Sequence, residues 1–114
     1  MARFLIIEPH ADIRRLYAAV VRGLGHEPVF FGDDSMDDEP HVILVEPADP
    51  VSFEAAKRLR RMYPDVPIVC ASIYERTLTD VGVLEAVTYL VKPFILGELT
   101  DAFELALSQS RRSS

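Results

Sequence analysis

Five apolar runs punctuate this chain, at residues 3–7, 27–31, 41–46, 66–71 and 87–91, and each is continuous where a half-exposed strand would alternate. A strand that is apolar at every position has to be covered on both faces, as in a parallel sheet sandwiched between helices. The intervening segments carry the matching signal. In "ADIRRLYAAVVRGLG", Ile13, Leu16, Tyr17, Val20 and Leu24 recur at three- and four-residue steps, and Gly25 supplies a stop. "DPVSFEAAKRLRRMYP" offers Asp49 as cap, Pro50 at the first helical position and an inner stripe of Phe53, Ala56 and Leu59. "LGELTDAFELAL" repeats the pattern with Leu96, Leu99, Phe103 and Leu107, while Gly82 and β-branched residues weaken "ERTLTDVGVLEAV".

Strands alternating with helices through right-handed crossovers predict an α/β fold, a doubly wound five-stranded parallel sheet in the order 2-1-3-4-5. One link breaks the alternation. Residues 32–40, "GDDSMDDEP", hold five acids and no apolar stripe, so the second helix is expected to be reduced or missing. Their spacing lacks the glycine and glutamate of a calcium-binding EF-hand loop. With 114 residues the chain is expected to form a single domain over residues 1–108, followed by a disordered tail at 109–114.

Composition excludes several classes. At 49% hydrophobic and 26% charged residues the chain has the balance of a globular protein. A net charge of -6 argues against nucleic-acid binding, which needs a basic patch, and the cluster Lys57, Arg58, Arg60 and Arg61 reads as the solvated C-terminal end of a helix. No apolar run approaches the roughly 20 residues of a membrane span, and no signal-peptide pattern opens the chain, so a cytoplasmic location without membrane contact is expected. The single cysteine, Cys70, sits inside an apolar run and reads as a buried thiol.

In a parallel sheet the ligand rim lies at the carboxyl ends of the strands. The residues that fall there are Glu8, Glu46, Ser72 and Lys92, and two of the runs end in the same dipeptide, Glu8-Pro9 and Glu46-Pro47. Two acids, a hydroxyl and an amine at one rim could bind a cation, bind a phosphoryl group, or close on themselves as a buried Lys-Glu pair.

These segments, "FLIIEPHADIRRLYAAVVRGLGHEP", "HVILVEP", "DVPIVCAS" and above all "YLVKPFILGEL", resemble the receiver domain of bacterial two-component response regulators over residues 3–108. The resemblance implies a flavodoxin-like, receiver-like sandwich and assigns Glu8 to the first of two acids ending the first strand. It assigns Glu46 to the phosphoacceptor position, Ser72 to the hydroxyl, Lys92 to the amine contacting the phosphoryl group, and Tyr89 to the aromatic switch. It also implies a cis bond before Pro93. Two positions depart from the pattern. Pro9 stands where an acid would ligate Mg²⁺, and Glu46 replaces an aspartate, its extra methylene displacing the carboxylate in a reaction sensitive to misplacement of about 1 Å. Weak or absent Mg²⁺ binding, no other cofactor and a degenerate phosphorylation pocket are therefore expected.

The resulting expectation is a non-enzymatic pseudo-receiver, a phosphorylation-independent signalling or scaffolding module. It would meet a protein partner or a second copy through the fourth helix, fifth strand and fifth helix of the family, with Ile73, Tyr74, Leu78 and Val81 as interface candidates. The competing reading is a genuine phosphoacceptor using Asp49 or Asp12, whose simpler role is at helix starts. A small-molecule enzyme on the same sandwich would need a phosphate-cradling loop, which "EPHAD" lacks; its one candidate base is His10.

Overall fold

The apolar runs become the strands β1 (Arg3–Ile7), β2 (Glu27–Phe30), β3 (Val42–Val45), β4 (Ile68–Ser72) and β5 (Thr88–Val91). The structure is a computed structural model that describes residues 1–32, 39–72, 79–92 and 96–113. All strands are parallel, in the order β2-β1-β3-β4-β5. The helices are α1 (Ala11–Gly23), α2 (Pro50–Met62) and α3 (Leu96–Ser113), with a 3₁₀ turn at Thr79–Leu84. Among the described residues no α-helix lies between β2 and β3, as the acidic segment implied.

The continuous apolar strands divide by parity. Phe4, Ile6, Val42, Leu44, Val69 and Ala71 point to one layer, where Tyr17, Val21, Leu99 and Phe103 cover them. Leu5, Ile7, Ile43, Val45, Ile68 and Cys70 point to the other, beneath Ala55, Ala56 and Leu59. Successive strand side chains leave opposite faces, so a sheet with helices on both sides needs an apolar residue at every step. Each fully buried side chain of this size contributes about 1.5–3 kcal/mol from removal of apolar surface.

Helix α1 is rotated slightly from the expected stripe. Its buried residues are Tyr17, Ala18 and Val21, while Leu16 is 42% exposed. Three- and four-residue steps fit two overlapping stripes here, and the small Ala18 lets α1 settle onto the sheet along the second. Gly25, just past the helix, takes φ +84°, a conformation open to glycine without strain. Helix α2 begins as expected: the Asp49 carboxylate accepts the Ser52 N–H at 2.9 Å, and Pro50 opens the first turn. In α3, Leu99, Phe103 and Leu107 are buried but Leu96, in the first turn, is exposed.

Two further readings change. Helix α3 continues to Ser113, through residues assigned from sequence to a disordered tail. Arg60 is a clamp as well as a helix-end cation: its guanidinium donates to the carbonyls of Leu84 (2.8 Å), Val66 (2.7 Å) and Pro64 (3.0 Å). It thereby ties the end of α2 to the 3₁₀ turn and the approach to β4. No described helix is long and apolar enough to cross a membrane.

Candidate functional site

Strand register assembles the site. Ile7 pairs with Val45, so the next residues, Glu8 and Glu46, leave the sheet side by side, and the Glu46 N–H donates to the Ile7 carbonyl at 3.0 Å. Ser72 pairs with Val91 at the β4–β5 edge of the same rim, and the following Lys92 N–H donates to the Ser72 carbonyl at 2.7 Å. All four rim residues predicted from sequence thus end strands at one end of the sheet. Glu8, Glu46 and Ser72 are buried.

Lys92 joins the two acids. Its Nζ donates to Glu8 Oε1 at 2.7 Å and to Glu46 Oε2 at 3.1 Å, with only 11% of its side chain exposed. The remaining oxygens turn inward on the chain. Glu8 Oε2 accepts the His10 N–H at 3.2 Å, and Glu46 Oε1 accepts the Ala48 N–H at 2.9 Å. Both Glu-Pro pairs therefore make the same turn, in which a glutamate side chain accepts the main-chain N–H two residues on. Proline favours this arrangement, because its fixed φ bends the chain and the missing N–H leaves the next amide as the nearest donor.

Neighbours hold the cluster in place. The Arg14 guanidinium donates to the carbonyls of Glu8 (2.7 Å) and Pro9 (3.0 Å), bracing the turn between β1 and α1. His10 is mostly exposed, yet its Nδ1 lies 3.1 Å from Glu8 Oε2. Tyr17 packs beneath the rim; burial raises its phenol far above the usual range, and the charges of Glu8 and Glu46 add to the effect. A cleft of about 470 Å³ opens over the cluster, lined by Pro9, His10, Ile13, Glu46, Pro50 and Lys92 among others. A second, of about 690 Å³, lies beside it and reaches Phe30, Phe31 and Val51.

The remaining sequence candidates are less central. Asp49 is engaged in capping α2, where it also accepts the Ser52 hydroxyl at 2.7 Å, and Asp12 pairs on the surface with Arg15. Tyr89 is half-buried against the layer that contains Leu5 and Cys70. Pro93, Ile73, Tyr74 and Leu78 lie outside the described residues, as does the side chain of Val81. Sequence reasoning missed Tyr17 and Arg14 as neighbours of the site, and named His10 as a candidate base without its contact to Glu8. The repeated Glu-Pro-X step was the available signal for His10 and for Ala48.

An open parallel sheet in this order is the flavodoxin-like arrangement, here with an acid-amine cluster at its carboxyl rim. Solved structures agree. NtrX from Brucella abortus, determined in complex with ADP, matches with a TM-score of 0.82 at 25% identity, covering 98% of this chain and 27% of NtrX. A CheY-like response regulator receiver domain protein from Methanospirillum hungatei matches with a TM-score of 0.84 at 14% identity, covering 100% of this chain and 99% of that one. The chemotaxis protein CheY4 of Vibrio cholerae gives 0.80 at 23% identity, covering 94% and 99%. The fold of the chain is that of response-regulator receiver domains, and the chain spans little more than a quarter of NtrX. No family model and no curated protein matches the sequence.

Proposed function

We propose that this receiver domain acts as a phosphorylation-independent signalling or scaffolding module, a pseudo-receiver that works by binding another protein. The observation that carries this reading is the position of Lys92 between Glu8 and Glu46. An ammonium built into the chain takes the place that an incoming cation would need between the carboxylates. The other carboxylate oxygens are bonded to main-chain amides, and Pro9 contributes no side-chain oxygen. A hard divalent cation that requires about six oxygen ligands does not fit this donor set, so Mg²⁺ binds weakly or not at all. Phosphoryl transfer without that charge neutralisation is disfavoured.

Exposed apolar residues support a protein partner or a second copy as the binder. Val83 on the 3₁₀ turn, Val91 on β5 and Leu96 at the start of α3 are all large, apolar and open to solvent. They belong to the elements corresponding to the fourth helix, fifth strand and fifth helix expected to form the contact face.

The test is an amide NMR titration of the domain with Mg²⁺ and then with beryllofluoride, an aspartyl-phosphate mimic. Resonances of Glu8, Glu46, Ser72 and Lys92 should stay in place. The double variant P9D/E46D, which introduces an acid at position 9 and shortens the one at position 46, should respond and serves as the positive control. Saturable shifts in the unmodified chain, with Tyr89 following, would overturn the proposal in favour of a working phosphoacceptor.

A further inference from the structure

At the opposite, amino-terminal end of the sheet, two histidines occupy equivalent places. His26 immediately precedes β2 and His41 immediately precedes β3, the two strands that flank β1. Each turns its ring toward the start of β1. His26 Nδ1 accepts the Ala2 N–H at 3.0 Å, and His41 Nδ1 accepts the Arg3 N–H at 2.9 Å. The main chain completes both contacts: Glu27 N–H donates to the Ala2 carbonyl at 2.9 Å, and His41 N–H to the Arg3 carbonyl at 2.9 Å. Ala2 and Arg3, at the entry of β1, are thus gripped through both polar groups, one from each side.

We propose that His26 and His41 form a latch that holds the entry of β1, and that its His41 contact is pH-sensitive, holding at neutral pH and releasing as that ring takes up a proton. The chemistry follows from the acceptor role. A backbone N–H can only donate, so each Nδ1 must carry a lone pair, and each ring in the latched state is the neutral Nε2–H tautomer. Protonation turns Nδ1 into a donor facing another donor, and the contact cannot survive. It also adds positive charge beside the Arg3 guanidinium and the Met1 amino group; among the described residues Glu39 is the one acid that acts on His41.

The surroundings already favour the neutral ring at His41. Burial lowers its pKa from the usual histidine value, Arg3, the Met1 amino group and His26 lower it further, and Glu39 opposes them. The unfolded chain therefore takes up the proton first. The stabilisation from the His41 contact is present above about pH 6.5 and is lost as the pH falls through and below that value. His26 extends the connection inward: its ring stacks on Phe4, at 5.7 Å between centroids, and its N–H donates to the Val21 carbonyl of α1 at 3.1 Å.

Imidazole and amide NMR on the whole chain tests the latch. At pH 7.5 both rings should be Nε2–H tautomers. As the pH is lowered from 7.5, protonation of the His41 ring and the upfield movement of the Arg3 amide proton should follow one curve. An Nδ1–H tautomer at either ring, or protonation of His41 that leaves the Arg3 amide unmoved, would overturn the proposal. The double variant H26N/H41N supplies an amide oxygen as a non-titrating acceptor in place of Nδ1. It should keep the Arg3 amide resonance in place as the pH falls, and loosening equal to that of the parent chain would also count against the latch.

Discussion

The Lys92 ammonium and the Glu8 carboxylate meet at 2.7 Å across 84 residues of sequence, and both side chains are almost fully buried. With Glu46 at 3.1 Å, the ammonium separates two carboxylates that would otherwise repel each other from adjacent strands. Removing one member of such a group leaves uncompensated buried charge.

Lys92→Met is therefore expected to destabilise the domain by about 3–5 kcal/mol, measured by urea denaturation at neutral pH. Combining it with Glu46→Gln, which removes one of the two stranded charges, should recover a substantial part of the loss. Equal stability of parent and Lys92→Met would mean that water screens the carboxylates as well as the ammonium does.

Glu46→Gln alone keeps the shape of the side chain and the acceptor for the Ala48 N–H while discharging its contact with Lys92. If the Glu46-Lys92 pair sets the position of the half-buried Tyr89, the aromatic resonances of Tyr89 should shift and affinity for the partner should change. Unchanged spectra and binding would assign the pair to charge neutralisation only.

Tyr17 gives the alkaline limb. Its folded-state pKa is raised, chiefly by burial and further by Glu8 and Glu46, whereas an unfolded tyrosine ionises near pH 10. Above about pH 10 the unfolded chain sheds a proton that the folded chain retains, so stability declines with rising pH. Tyr17→Phe should flatten that decline in denaturation curves collected between neutral and alkaline pH.

Arg60 donates to four carbonyls from two segments beyond α2. Arg60→Ala should cost about 2 kcal/mol by leaving part-buried carbonyls without their donor. Arg60→Lys should recover only part of this, since one ammonium cannot span the same fork of acceptors. Chemical denaturation of the three proteins provides the comparison.

The sheet was legible in the sequence because its strands are apolar at both parities, and parity alone assigns Leu5 and Ile6 to opposite layers. The rim was legible for the same reason: where a run such as Leu5-Ile6-Ile7 stops, the next residue leaves the sheet. Helical faces were harder. Leu16 and Ala18 both neighbour Tyr17 on the helix, and only the packing of α1 on the sheet decides which turns inward. Contacts carried by main-chain carbonyls leave no trace in residue type, which is why Arg60 read as an ordinary basic residue. His10 looked isolated because its carboxylate partner sits only two residues earlier, on the far side of a proline.

A charge that belongs to the chain has no lifetime. In a domain where the cation at the rim is Lys92, nothing has to be added or hydrolysed for the pocket to hold its state, so on the reading proposed here no clock is set by decay of a covalent mark. The output of such a domain then depends on how much of it and of its partner is present, and regulation passes from reaction kinetics to abundance.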